Sequence, residues 1–188
     1  YIVVDKTDAN TQNFLAKFKN IPEYGDTFVT PDDAQELIAS DTLLVIVDVN
    51  NIDHMLSPGI ALSVNDAIII DHHRKTAPKT QREWIAEYIE PSASSASELV
   101  AEILQYVADS IRIKSPEADA MYAGIVIDTN NFTNQAGVRT FEAAAYLRRS
   151  GADITRVRKL FRDDMAEYKV KAKAVDKAEV FEGAFAIS

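Results

Sequence analysis

The sequence contains no cysteine. A disulfide framework, a thiolate metal site and a cysteine nucleophile are therefore all excluded, and a bound metal would have to rely on oxygen and imidazole donors. No apolar stretch approaches the length of a membrane span, and the start, Tyr1-Ile-Val-Val-Asp5, has neither the basic head nor the cleavage site of a signal peptide. The chain reads as soluble, with no membrane contact. Basic residues are scarce at the beginning: residues 1–66 hold 3 basic and 11 acidic side chains, net −8, against 17 and 18 in residues 67–188. Such a surface repels a long polyanion, which argues against long nucleic acid as a partner. Histidine occurs three times, and there is no low-complexity tract or internal repeat.

At 188 residues, 47% hydrophobic and 26% charged, the chain is long enough to bury one sizeable core. Strand and helix signals alternate. Residues 2–4 read as a strand, and 10–19 as a helix with Phe14, Leu15 and Phe18 at helical spacing. Thr30-Pro31-Asp32-Asp33 opens a helix to about Ala39, with a capping hydroxyl, proline in the first turn and acids at its positive end. The continuous apolar runs 43–47 and 67–70 read as strands, the second covered on both faces. Between them Pro58-Gly59 predicts a loop. Residues 85–89 read as a further strand.

Ser95-Ala-Ser-Glu98 is a capping box for a helix through Val107. Ser115-Pro116 opens a helix ending near Asp128, despite the strand-like Gly124-Ile-Val-Ile127. A helix over 140–149 stops at Gly151, and Asp153 starts one with Ile154, Val157, Leu160 and Phe161 on one face. A charged helix over 164–179 and a partnerless strand over 180–187 complete the chain. The fold class is α/β, a Rossmann-like, mostly parallel sheet with helices on both faces.

Asp71-His72-His73 closes the run 67–70, and ligands bind at the carboxyl ends of parallel strands. Asp48 ends the run 43–47 in the same way, and Asp128 ends an apolar helix. Each aspartate alone is a common turn or cap residue. Together they make a mixed carboxylate and imidazole set suited to Mn²⁺ and, less exclusively, to Mg²⁺, Zn²⁺ or Fe²⁺. Two such cations lower the pKa of a bridging water and neutralise a phosphate under in-line attack. Directly after the triplet, residues 72–82 carry Arg74, Lys75, Lys79 and Arg82 with no acid. This patch fits a small phosphorylated ligand, or is a solvated basic loop. His54 lacks a comparable partner pattern and reads as a surface residue.

The ordered series Val47-Asp48 with Asn50-Asn51, then Asp71-His72-His73-Arg74, then Glu90-Pro-Ser-Ala-Ser-Ser-Ala-Ser-Glu98, then Gly124-Ile-Val-Ile-Asp128-Thr-Asn-Asn-Phe132-Thr133 and Arg139-Thr140-Phe141 resembles the DHH phosphoesterase superfamily. Within it the chain is most similar to the catalytic part of the GdpP-type cyclic-di-AMP phosphodiesterases of bacteria. The resemblance implies a metal-bridging role for Asp48, a metal-binding imidazole in His72 and a further metal carboxylate in Asp128. It implies that Asp71 orients His72, and that His73 and Arg74 contact the scissile phosphate, with Asp71 and His73 in the catalytic set. It also implies two Mn²⁺ ions, a water or hydroxide nucleophile, a cyclic dinucleotide substrate opened to a linear dinucleotide, and a cytoplasmic catalytic part of a membrane-anchored parent.

The family's first motif, a His and two Asp after the first strand, has no counterpart here, and its glycine-rich C-terminal substrate-binding domain is also missing. The expectation is therefore a truncated DHH domain over residues 1–163, with 164–188 as a linker helix and the first strand of the missing domain. Such a fragment would be inactive alone and have an open sheet edge that a second copy, as a homodimer, would cover. The alternatives are a nuclease or phosphatase acting on short oligonucleotides or phosphoadenosine phosphate, as in RecJ-like relatives, and a non-catalytic nucleotide-sensing module.

Overall fold

The structure is a computed structural model that describes residues 1–5, 7, 9–77, 79–107, 111–161, 165–182 and 185–187. In chain order the elements are β1 (Ile2–Val3), α1 (Ala9–Lys19), β2 (Phe28–Val29), α2 (Pro31–Leu37), β3 (Leu43–Val47), α3 (Pro58–Ser63), β4 (Asp66–Asp71), β5 (Ala86–Ile89), α4 (Ala96–Val107), α5 (Ser115–Asp128), α6 (Val138–Arg149), α7 (Ile154–Leu160), α8 (Met165–Asp176), β6 (Glu179–Phe181) and β7 (Phe185–Ile187). Single 3₁₀ turns lie at Pro22–Tyr24 and Ile52–His54.

Strands β3, β4 and β5 form a parallel sheet in that order, with Val47 opposite Ile70 and Asp71 opposite Ile89. Parallel neighbours need covered crossovers, and α3 supplies the one between β3 and β4. β4 is central and buried on both faces, as its β-branched run predicts. Ala67 and Ile69 pack with Ile46, Ile52 and Ala61 on one side, while Ile70 packs with Ala93 and Leu99 beneath α4 on the other. β3 is as apolar in sequence but pairs with β4 alone among the described residues, leaving Leu43, Val45 and Val47 exposed. A separate parallel pair, β1 with β2, sets Ile2 against Phe28; two residues per strand are too few to show a period, so the sequence gives no sign of β2.

Helices α4, α5, α6 and α7 make the second core, lined by Ala101, Ala118, Ala123, Ala143, Ala144, Ile125, Leu147 and Val157. So many alanines let helix axes approach closely. At Gly124 a Cβ would come within 2.4 Å of Ser97 Oγ, so this glycine is a contact point between α4 and α5. Gly151, at φ +106°, ends α6 as expected: Ala152 N–H donates to Leu147 O (3.0 Å) and Gly151 N–H to Arg148 O (3.1 Å), the double bond pattern of a left-handed cap. The Thr30 hydroxyl caps α2 as read, with Asp33 returning the bond to complete a capping box, and α7 starts at the Asp153 cap.

Two expectations fail. Pro58-Gly59 is not a loop but the first turn of α3, because proline's fixed φ and missing N–H suit a helix start. Residues 180–187 are not one partnerless strand: β6 and β7 fold back as an antiparallel hairpin, with Phe181 opposite Phe185. The expected start of the last helix at residue 164, and the boundary between 163 and 164, lie outside the described residues.

Candidate metal centre

The sheet delivers Asp48 and Asp71 to its carboxyl edge side by side, since β3 and β4 run in register to their last residues. The ladder continues one step past each strand, with Asp48 N–H donating to Ile70 O (3.0 Å) and Glu90 N–H to Asp71 O (2.9 Å). Asp48 takes a left-handed backbone, φ 66°, which an aspartate tolerates better than most side chains. From the helical core, α5 ends at Asp128 on the same edge. The three residues Asn130, Asn131 and Phe132 that follow are all left-handed, with φ between 45° and 63°. They are tied down by Asn131 N–H to Val126 O and Phe132 N–H to Thr129 Oγ1, both 2.9 Å.

His72 Nε2 lies 3.3 Å from Asp48 Oδ1 and 3.8 Å from Asp128 Oδ2. Its ring is largely enclosed, at 13% exposure, whereas the neighbouring His73 ring is 58% exposed. The two ring centroids are 4.3 Å apart. Asp48, Asp71, His72 and His73 each offer a ligand atom within 4.8 Å of the others. Carboxylates and imidazole, with no sulfur, fit a hard or borderline divalent cation. The C-terminal end of α5 adds a partial negative charge that favours the same sign of ligand. Burial, and next the nearby Asp48 carboxylate, raise the Asp128 carboxyl above the usual range. His73 is also raised, first by its hydrogen bond to Asp71, against an opposing effect of burial.

The structure departs from the expected role of Asp71. Its carboxylate is fully buried and is bonded to His73, not to His72: Oδ1 faces His73 Nδ1 at 2.8 Å and accepts from His73 N–H at 3.1 Å. Its other oxygen accepts from Asn50 Nδ2 at 2.5 Å. The reason is the turn after β4, which carries residue 73 back over the strand end while residue 72 points forward to Asp48 and Asp128. Asn50 is the participant that the residue pattern alone leaves unassigned. Its signal was an amide two positions past the aspartate that ends β3.

Beside the group a cleft of about 380 Å³ is lined by Asp48, Asn50, His54, His73, Arg74 and Thr76. His54 is exposed, as read, yet it faces this cleft. Arg74 has no ion pair or hydrogen bond among the described residues and is free to meet an anion. Other members of the basic run are engaged: Lys75 pairs with Glu87 (2.5 Å), and Arg82 donates to Asn65 O (2.9 Å) and stacks over Trp84. Lys75 and Arg82 are therefore structural, and Arg74 is the part of the patch that borders the site. Among the described residues no helix is long and apolar enough to cross a membrane.

Residues 2–125 match the DHH family, N-terminal domain. The chain is 40% identical over its whole length to a cyclic-di-AMP phosphodiesterase GdpP of Geobacillus thermodenitrificans, 35% to one of Bacillus subtilis and 33% to the cyclic-di-AMP phosphodiesterase PdeA of Listeria monocytogenes. It spans 29% of the length of each of these relatives. Its fold is shared with an exopolyphosphatase-related protein from Bacteroides fragilis, at a TM-score of 0.73 and 21% identity over 88% of this chain and 50% of that one. The parallel sheet, the aspartates and histidines at its carboxyl edge and the match over two thirds of its length agree: the chain belongs to the DHH family.

Proposed function

We propose that this chain is the catalytic part of a metal-dependent phosphodiesterase that opens cyclic-di-AMP to the linear dinucleotide. The observation that supports the reading most directly is the approach of Asp48 and Asp128 to one imidazole nitrogen of His72, from a strand end and a helix end far apart in sequence. A fold with no ligand to hold has little reason to crowd two carboxylates there. The names of the relatives supply the substrate class.

In this reading Asp48, His72 and Asp128 hold the cation, Mn²⁺ being the first choice for such a donor set. A divalent ion bound there lowers the pKa of a water and offsets phosphate charge. His73 and Arg74 line the cleft and contact the phosphate, Arg74 donating to the oxygens on which charge grows during attack and His73 exchanging a proton there. The acidic first third keeps long nucleic acids away, so a small dinucleotide is the better match. Three protein ligands are few for two cations, so we expect this chain to bind one ion weakly and to turn over slowly at most.

Titration of the chain with cyclic-di-AMP in the presence and absence of Mn²⁺, by calorimetry, tests the reading. Binding that requires the ion and disappears in the Asp48→Asn variant supports it. Binding that is unchanged by Mn²⁺ or by that substitution overturns it in favour of a nucleotide-sensing module.

A further inference from the structure

Asn50 is buried, and its side-chain amide makes two bonds from one nitrogen: to Asp71 Oδ2 at 2.5 Å and to His73 O at 3.1 Å. Asp71 is thereby filled on both oxygens. Oδ2 accepts from Asn50, and Oδ1 accepts the His73 backbone N–H while facing His73 Nδ1 at 2.8 Å. A buried carboxylate held at both oxygens is fixed in place, and when ionised it is an acceptor only. The ring nitrogen opposite it must then be the one that carries hydrogen.

We propose that Asn50 is a positioning residue that, through Asp71, fixes the His73 ring as its Nδ1–H tautomer with a bare Nε2 turned to the cleft. Free imidazole has no such constraint; the other carboxylate facing Nδ1, Asp48 Oδ1, stands at 3.8 Å, beyond hydrogen-bond reach, so Asp71 at 2.8 Å is the acceptor that sets the tautomer. Asn50 acts at two points of the same turn: it stops the Asp71 carboxylate from rotating and it anchors the carbonyl of residue 73. Without it, Asp71 can swing and the ring loses its fixed acceptor. The inference also divides the group of four candidate ligands. His72 offers its Nε2 to a cation, whereas the Nδ1 of His73 is taken up by Asp71 Oδ1 and does not. What the bare Nε2 then does, accepting or relaying a proton at a phosphate, rests on the phosphodiesterase reading; the tautomer does not.

Side-chain ¹H–¹⁵N long-range correlation spectra of the uniformly ¹⁵N-labelled chain test this directly, at a pH high enough for neutral imidazole. With three histidines in the sequence, each pattern is assigned by its disappearance in a His→Gln variant. His73 is expected in the Nδ1–H form, unlike the exposed His54, which should show the solvent mixture. In Asn50→Ala the His73 pattern should collapse to that same mixture while the far-ultraviolet circular dichroism is retained. A wild-type His73 with hydrogen on Nε2 overturns the proposal, because Nδ1 would then be a free ligand atom facing Asp48. An Asn50→Ala protein that is folded and keeps the pure Nδ1–H pattern overturns it too. If Asn50→Ala does not fold, the wild-type spectrum and the Asn50→Leu variant, which fills the same space without a donor, carry the same two outcomes. Both are independent of turnover, so a failed assay with cyclic-di-AMP leaves this test standing.

Discussion

His72 Nε2 sits 3.3 Å from Asp48 Oδ1, the two residues following directly on the ends of the neighbouring strands β4 and β3. The geometry depends on the left-handed backbone of Asp48, φ 66°. Asparagine tolerates that conformation and keeps the shape while removing the charge. Asp48→Asn should therefore fold normally and weaken Mn²⁺ binding by about tenfold or more, a loss of about 1.4 kcal/mol. Calorimetric titration of Mn²⁺ into both proteins measures it. Equal affinities would remove Asp48 from the cation site.

Glu98 gathers three donors onto one buried oxygen: Ser94 N–H (3.2 Å), Ser94 Oγ (2.5 Å) and Thr140 Oγ1 (2.7 Å). It joins the loop after β5 to the start of α6, with Arg139 Nε 4.0 Å from its other oxygen. Truncation leaves those donors buried without an acceptor. Glu98→Ala should cost about 3 kcal/mol, and Thr140→Val about 1 kcal/mol. Urea unfolding reads both as shifts in midpoint at constant slope. A cost for Glu98→Ala as small as that of a surface change would mean that the loop repacks around water.

Much of this site can be read from the chain because its signals are local. A β-branched run ending in Asp71-His72-His73 specifies a buried strand and its mouth, and Pro116 with Glu117 marks the start of α5 strongly enough to outweigh Gly124-Ile-Val-Ile127. Partner choice is not local. The family resemblance implies that Asp71 orients His72, whereas the turn after β4 gives Asp71 to His73 and Asn50. Glu98 looks like the return half of a capping box, but its carboxyl bonds Ser94 and Thr140; the Ser95 hydroxyl makes the forward half alone, accepting from Glu98 N–H at 3.0 Å. Proline misleads at Pro58 because a helix start and a loop share the same residue. The antiparallel pairing of β6 with β7 escapes because strands of three residues each are too short to show a period.

Tyr24 donates to Glu117 Oε1 at 2.8 Å, linking the 3₁₀ turn after α1 to the first turn of α5. Partial burial, then this acceptor, push the phenol up to about 12 from the ordinary value of 10.0. The folded state thus holds the proton more tightly than the unfolded one. This contribution to stability is complete below about pH 10 and is lost as pH rises toward about 12. Difference absorbance of tyrosinate between the wild type and Tyr24→Phe should show one late-titrating phenol, and Glu117→Gln should move it earlier. A Tyr24 that ionises with the exposed tyrosines would disprove the link.

Gly151 combines two demands that can be separated by experiment. Its φ of +106° disfavours any side chain, and a Cβ there would meet Ser115 Oγ at 2.5 Å and Ser115 Cβ at 3.3 Å. Gly151→Ala should cost at least about 1–2 kcal/mol from the backbone alone, and more from the clash at the junction between α6 and the start of α5. Ser115→Ala removes the nearest atom but not the backbone strain. In a double-mutant cycle measured by urea unfolding, Gly151→Ala should be less costly in the Ser115→Ala background by about 0.5 kcal/mol or more, and still destabilising. A coupling of zero would mean that the serine hydroxyl turns away freely, leaving the left-handed backbone as the whole requirement for glycine. A Gly151→Ala protein as stable as the wild type would contradict both, and with them the cap that sets α7 against α5.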